Sequence, residues 1–405
     1  MCEILRRFAP QDDNGGLVDK KLPNIQENIP LSEHTTFRIG GAARYFCAVK
    51  NKEEIIAAIE WAKENPPAGG FSFFSSATES SEPKFLRNKV FSSATESSEP
   101  KFLRNKVFIL GGGSNILVSD KGFNGLVIKI KNEKLKIKNY NEKFKIIEAE
   151  SGVLLGKLVM EAINHNLTGL EWAIGIPGTI AGAVVGNAGA YGHSISESVE
   201  EVKTLSINFN SSSRATRQTA GRVAISTQNN EIASGFALAM TEKKYNNKGC
   251  QFGYRKSIFK TGDIILEVIL RLQKGDKEKS RALLRDIVSN RQGKIPPYPS
   301  AGSVFKNYEL KKGSYEDDPL IKRFPELLEK IQGGKIAVGY LIEQCGLKGK
   351  KIGGAMIAQE HANFIVNLGG AKAKDVVVLI KLCKEKVKEK FGIELKEEIR
   401  YVGFD

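Results

Sequence analysis

Gly111-Gly112-Gly113-Ser114-Asn115 stands directly after the short apolar run Val107–Leu110. Consecutive glycines let neighbouring backbone N–H groups point into one concavity, which suits a pyrophosphate. A plain tight turn would use the same residues. The segment does not read G-x-x-x-x-G-K-[ST], and Ile116 sits where G-x-G-x-x-G needs its third glycine. A longer glycine-rich run, GIPGTIAGAVVGNAGAYG, spans Gly175 to Gly192. Each glycine in a regular element costs up to about 1 kcal/mol against alanine. Something must hold them there, either close approach of backbone to a large flat ligand or a packed, turn-rich core. Two further segments carry side-chain chemistry: Gly253-Tyr254-Arg255-Lys256-Ser257, and Tyr298–Asn307 (YPSAGSVFKN). The latter sets Gly302 and Ser303 on a turn just past a proline break, followed by Lys306 and Asn307. A serine in such a turn is either structural or catalytic.

The elements that must position these groups belong to a soluble globular chain. Its 405 residues suggest two to four domains. With 41% hydrophobic and 26% charged residues, wholesale disorder and a coiled-coil rod are excluded. Lysine and arginine number 61 against 46 acids, a formal charge of +15. That balance suits a nucleic-acid binder, an anionic membrane surface or an enzyme with anionic ligands. The basic residues are dispersed, and clusters such as 131–138 and 381–390 are punctuated by acids. No nucleic-acid module is present, so nucleic acid is not an expected partner. Cys2, Cys47, Cys250, Cys345 and Cys383 are scattered without C-x-x-C spacing. They offer neither a disulfide framework nor a metal site, and no metal is expected. The N-terminal stretch has no apolar core of a secretory signal, and the low-charge stretch 173–191 is too short and too broken by glycine and proline to span a membrane. A cytoplasmic location without membrane insertion is expected, and a monomer.

Along the chain, residues 1–30 read as an irregular leader. Ala43–Lys50 reads as a strand, followed by a helix capped by Asn51 with Glu54 three residues on, and stopped by Asn65-Pro66-Pro67. Residues 74–90 and 91–107 are identical (FSSATESSEPKFLRNKV), a tandem copy too short and polar for a solenoid unit, read as an enlarged loop. Strands are expected at Val107–Leu110, Leu126–Ile130, Phe144–Glu150, Val199–Ile207 and Ile264–Leu272, with a helix at Val153–His165. A polar insertion begins at Asn208 and runs to about Asn230. The helix Lys277–Gln292 should turn Leu283, Leu284, Ile287 and Val288 inward, and Pro296-Pro297-Tyr298-Pro299 marks a domain boundary. Beyond it come helices at Ile336–Cys345 and Ala373–Lys390, and strands at Ile352–Ala358, Phe364–Leu368 and Leu395–Val402. The chain is of the α+β class.

Taken in order, GGGSN, GIPGTIAGAVVGNAGAYG, GYRKSIFK, SAGSVFKN and FGIELKEEIR resemble the UDP-N-acetylenolpyruvoylglucosamine reductase (MurB) family, in its subgroup with the shorter substrate domain. The opening HTTFRIGGAA (His34–Ala43) resembles the family's flavin-side segment. The resemblance covers about residues 23–66 and 107–403. It implies a vanillyl-alcohol-oxidase/PCMH-type FAD-binding region over 31–275, with loop insertions at 74–106 and 208–240. It also implies a C-terminal α+β substrate domain over 295–405, whose last strand returns to the flavin site.

By similarity, FAD is held without covalent attachment by Gly111, Gly112, Gly113, Ser114 and Asn115 and by Gly175, Pro177, Gly178, Thr179, Gly182 and Ala183. NADPH reduces the flavin and is replaced by UDP-N-acetylglucosamine enolpyruvate. Arg255, Ser303 and Glu398 are the implied catalytic residues, and Tyr254, Lys306 and Asn307 the implied substrate contacts. Ser303 matches the proton donor, and Glu398, rather than its neighbour Glu397, the late glutamate. Adjacent residues on a strand face opposite sides, so one of the two glutamates reaches the site. His361 is read as a structural histidine. The chain departs from the family at Lys256, where Asp is usual, at Ala181, where Gly is common, and in a longer 308–335 stretch. Another FAD-dependent oxidase of the same fold acting on a small alcohol or lactone, and an impaired copy of the reductase, are the alternative readings.

Overall fold

The computed structural model describes residues 23–65, 107–210, 237–260, 262–310 and 313–404. Three sheets carry the molecule. The first orders its strands Gln26–Pro30, Ala42–Val49, Phe123–Ile130 and Val107–Leu110. Its outer pair Gln26–Pro30 and Ala42–Val49 is antiparallel, and the other two pairings are parallel. Helix Lys52–Glu64 makes the crossover, with the Asn51 side chain accepting from the Glu54 N–H at 2.8 Å, as its sequence requires. Ile55, Ala58, Ile59 and Ala62 of this helix pack on Leu126, Ile128 and Ile130. The expected irregular leader therefore ends early: Gln26–Pro30 is a strand, because it closes the edge of this sheet against Ala42–Phe46.

The second sheet is antiparallel, in the order Ala237–Asn246, Val199–Asn210, Ile264–Lys274, Phe144–Glu150 and Leu135–Asn139. Its core takes in helix Leu155–Asn164, Trp172 and helix Ile180–Gly186. The third sheet runs Ser300–Ser303, Phe364–Asn367, Ala355–Ile357 and Lys351–Ile352. Helices Val338–Gln344 and Ala373–Phe391 share its core, which also recruits Phe37, Ile39 and Leu117 from the N-terminal part. Much of the long 308–335 stretch is built into that core through Leu310, Leu320, Ile321 and Leu327. Among the described residues no helix is long and apolar enough to cross a membrane.

Several expectations need correction. Leu284 and Ile287 of helix Lys277–Arg291 are buried, but Leu283 and Val288 are about half exposed (48% and 54%). The helix docks along one line of side chains, narrower than the apolar pattern suggested. The expected strand Ile352–Ala358 is a hairpin, Lys351–Ile352 against Ala355–Ile357. Gly353 turns it at φ +52°, and a Cβ on Gly354 would lie 2.6 Å from the Gly369 carbonyl oxygen. Of the expected strand Leu395–Val402, Arg400–Val402 is regular, and the residues before it pair with the 304–306 segment through a single bridge. The strand Val199–Asn210 continues into the expected polar insertion, pairing Asn208–Asn210 with Ala237–Ala239. The remainder of that insertion, and the duplicated stretch up to 106, lie outside the described residues.

Candidate active site

The strand Val107–Leu110 delivers Gly111–Asn115 at its C-terminal end, and the Gly175–Thr179 loop meets it backbone against backbone. A Cβ on Gly112 would lie 2.6 Å from Cα of Gly178, and one on Gly178 would lie 2.8 Å from Oγ of Ser114. The Ser114 hydroxyl donates to the Pro177 carbonyl at 2.9 Å. Gly113 sits at φ +65° and its carbonyl accepts from the Thr36 N–H at 3.1 Å. Thr179 caps the short helix Ile180–Gly186 by accepting from the Gly182 N–H at 3.3 Å, and Ala183 is buried beneath it. Gly175 adopts φ +73° beside the Arg291 side chain.

A cavity of about 600 Å³ opens beside Gly112, lined also by His34, Thr35, Thr36, Arg38 and Lys129. His34 stacks on Phe46 with ring centroids 4.5 Å apart, and its Nδ1 lies 3.2 Å from the Lys129 ammonium. Burial, then Lys129, pushes the His34 pKa down, so a neutral ring accepting from Lys129 is the favoured state. Thr35 Oγ1 is buried without a hydrogen-bond partner. A side chain left unsatisfied at a cavity wall, beside a glycine cradle, fits a polar anionic group such as the pyrophosphate of FAD. Lys129 belongs to none of the sequence motifs. Its position emerges from the parallel register that sets it opposite Leu110.

A second cluster lies where three chain segments converge. The turn Gly253–Lys256 closes through reciprocal backbone bonds of 3.0 and 3.1 Å. Asn187 donates to the Gly253 carbonyl at 2.9 Å, and Ser257 to the Val185 carbonyl at 2.9 Å, so the turn is fastened to the glycine-rich helix. Arg255 adopts φ +53°, a left-handed conformation that a non-glycine residue holds only under tertiary constraint. Its Nε lies 2.7 Å from Glu398 Oε1, with the side chains 24% and 17% exposed. The approach has the distance of an ion pair without the angles of a hydrogen bond. Tyr254 accepts from the Asn307 N–H at 3.1 Å, and its ring lies 4.0 Å from the Lys335 ammonium.

Glu398 is fixed by backbone contacts on two sides. Its N–H donates to the Val304 carbonyl at 2.8 Å, and Lys306 N–H donates to the Lys396 carbonyl at 2.9 Å. The buried Asn363 bonds both the N–H (2.9 Å) and the carbonyl (2.8 Å) of Phe305, which holds the segment after Ser303 in place. On the other side Asn115 donates to the Glu398 carbonyl at 3.3 Å and accepts from the Arg400 N–H at 3.0 Å. Arg400–Val402 continues as a parallel partner of Ile116–Val118. The structure thus brings Arg255, Glu398 and the Ser303–Asn307 segment together next to Asn115. Glu397 turns away, paired with Lys384, and its carboxylate pushes the Tyr401 hydroxyl pKa up after burial. Burial raises the Glu398 pKa, opposed by Arg255, Lys306 and Lys260, so its carboxyl holds a proton more readily than a free glutamate.

Residues 101–207 match the family model described as FAD binding domain, and residues 295–402 match the model of the UDP-N-acetylenolpyruvoylglucosamine reductase C-terminal domain. The chain is 32% identical to the UDP-N-acetylenolpyruvoylglucosamine reductase of Caldanaerobacter subterraneus over 96% of its own length and 98% of the relative's. The Solibacter usitatus enzyme of the same name is 31% identical over 94% and 98%. The chain belongs to the UDP-N-acetylenolpyruvoylglucosamine reductase family. The solved reductase (MurB) from Thermus caldophilus aligns over 94% of this chain and all of its own, with a TM-score of 0.59 and 26% identity.

Within this reductase chain, the structure gives the departures from the family pattern definite places. Lys256 is exposed, and Glu398 rather than the neighbouring side chain orients Arg255. Ala181 packs against the second core, its N–H bonded to the Ser151 carbonyl at 3.3 Å. His361 accepts from the Asn363 N–H at 3.2 Å and packs on the Phe364 ring, the placement of a structural histidine.

Proposed function

We propose that the protein catalyses the NADPH-dependent, FAD-mediated reduction of UDP-N-acetylglucosamine enolpyruvate to UDP-N-acetylmuramate, a step of peptidoglycan precursor synthesis. The observation that carries this reading is the half-buried Arg255–Glu398 pair, set against the Ser303 segment and joined through Asn115 to the glycine loop. The flavin, when bound, supplies hydride to the terminal carbon of the enolpyruvyl double bond, having been reduced by NADPH. The chain's own residues do the rest. Gly111–Asn115 and Gly175–Thr179, with Gly182 and Ala183 beneath, would hold the cofactor's pyrophosphate and flavin. Hydride addition drives electron density toward the substrate carboxylate, and the fixed cation Arg255 lowers the energy of that enolate.

Ser303 then gives its hydroxyl proton to the adjacent carbon. An alcohol is a weak acid, but a carbanion-like centre in a dry site is a strong enough base. Glu398, its carboxyl readily protonated through burial, supports the enolate or resupplies the proton. Tyr254, Lys306 and Asn307 bind the sugar diphosphate. The enzyme works in the cytoplasm, where NADPH is supplied, and as a monomer. Four cysteines among the described residues are free thiols, compatible with a reducing compartment.

The visible spectrum of the purified protein, followed by NADPH oxidation with and without the enolpyruvyl substrate, tests the reading. Flavin absorbance and substrate-dependent NADPH turnover are expected. A protein that stays colourless after reconstitution with FAD refutes it.

A further inference from the structure

The carboxylate of Glu398 is outnumbered. Arg255 pairs with it at 2.7 Å, and Lys306 and Lys260 also act on it through their charge. Lys260 arrives from a separate element, the single turn Ile258–Lys260 that follows the Arg255 turn. Buried Phe259 anchors that turn edge-on against Tyr245, at 5.3 Å between ring centroids. The Lys260 carbonyl accepts from Arg400 Nη2 at 3.5 Å, which ties the turn to the segment that carries Glu398. Arg255 pairs with this carboxylate, Lys260 and Lys306 add their positive charge to it, and the Lys260 turn touches Arg400, which leaves a surplus of positive charge in a half-buried site. Such a surplus calls for an incoming anion.

We propose that Lys260 is a further substrate-binding residue, whose ammonium pairs with the carboxylate of the enolpyruvyl group alongside Arg255. The assignment rests on the reductase reading above. The reacting carbon must sit beside Arg255 and Glu398, so the anion within reach of Lys260 is the carboxylate next to that carbon, while the diphosphate falls to Lys306. The charged groups that act on Lys260 are Lys306, Arg400, Glu398 and Arg255. Burial first, then Lys306 and Arg400, pushes its pKa down to about 8, with Glu398 opposing. Below that pH the ammonium is charged and ready for the anion. Above it the residue is neutral, and binding must draw a proton back, so affinity falls by up to about tenfold per pH unit. An arginine in the same place would not titrate.

Calorimetric binding to the FAD-loaded protein, with UDP-N-acetylglucosamine enolpyruvate and with UDP-N-acetylglucosamine, separates the possibilities. The second ligand keeps the diphosphate and lacks the carboxylate. Lys260→Met should weaken the enolpyruvyl ligand at least ~10-fold, the scale of a lost charge-assisted bond, and the carboxylate-free ligand far less. Wild-type affinity for the enolpyruvyl ligand should decline above pH 8, and Lys260→Arg should abolish that decline. Melting temperature checks that both variants fold. Equal weakening of both ligands by Lys260→Met, or an unchanged alkaline decline in Lys260→Arg, overturns the assignment of Lys260 alone. A wild-type protein whose reduced flavin ignores the enolpyruvyl compound overturns the reductase reading and this inference together.

Discussion

Glu398 Oε1 lies 2.7 Å from Nε of Arg255, and the two side chains are held by different sheets. Arg255 rides on a turn fastened to the glycine-rich helix of the second sheet, whereas Glu398 is held by the Ser303 segment of the third. The pair is a point where the second and third sheets are tied together by opposite charges. Because burial outweighs Arg255 in setting its acidity, Glu398 is costly to ionise in the folded chain, as the acid role proposed for it requires.

Stability should therefore depend on Glu398 in a definite direction. Its folded pKa is raised, so its contribution is fully present below the unfolded glutamate value and is lost as pH rises through the folded one. Glu398→Gln removes that titration. The variant's melting temperature relative to wild type should climb as pH goes from about 4 to 7, while turnover of the enolpyruvyl substrate collapses. A difference in melting temperature that shrinks over this range would contradict the assignment.

Ser303→Ala should separate the two half-reactions. Reduction of the flavin by NADPH, followed by bleaching in a stopped-flow instrument, should persist. Reoxidation by the enolpyruvyl substrate should slow by about 10²–10⁴-fold, the usual worth of a positioned acid. Loss of both half-reactions together would point to a structural serine.

At Gly112 an added methyl has nowhere to go, since the obstacle is the backbone of Gly178 rather than a side chain that could swing aside. Gly112→Ala should force the two loops apart at a cost of about 1–3 kcal/mol. A lowered melting temperature and substoichiometric flavin on the purified protein are the expected readouts.

Lys256 offers the converse test. Exposed beside Arg255 and outside the ion pair, it should tolerate replacement by the family's aspartate. Lys256→Asp is expected to change stability by no more than about 0.5 kcal/mol and to leave steady-state turnover within twofold, measured by NADPH oxidation.

Much of this arrangement was legible in the sequence, for physical reasons that differ from one element to the next. The Asn51 cap and the Val107–Leu110 strand are local signals, written in adjacent residues, and the structure carries both. That Glu397 and Glu398 face opposite ways was also legible, from the alternation of an extended segment. The segment is irregular at that point, yet a single bridge at Glu397 suffices to send the neighbouring carboxylates to opposite sides. What stayed hidden depends on long-range register. Lys129 reaches the cavity because its strand lies parallel to the glycine-bearing one, and Lys260 gains its setting from Lys306 and Arg400. The exposed Leu283 and Val288 escaped for a different reason, since an apolar stripe says which residues could be covered and not how wide a neighbour is available to cover them.

The bonds from Asn115 to Glu398 and Arg400 impose an order on events during synthesis. Chains emerge N-terminus first and fold domain by domain. The glycine loop leaves the ribosome long before its partners, so it must wait with part of its polar groups bonded to water while nearly three hundred further residues are added. A nascent chain that has not yet reached Glu398 and Arg400 leaves this junction open, however well its first sheet has formed.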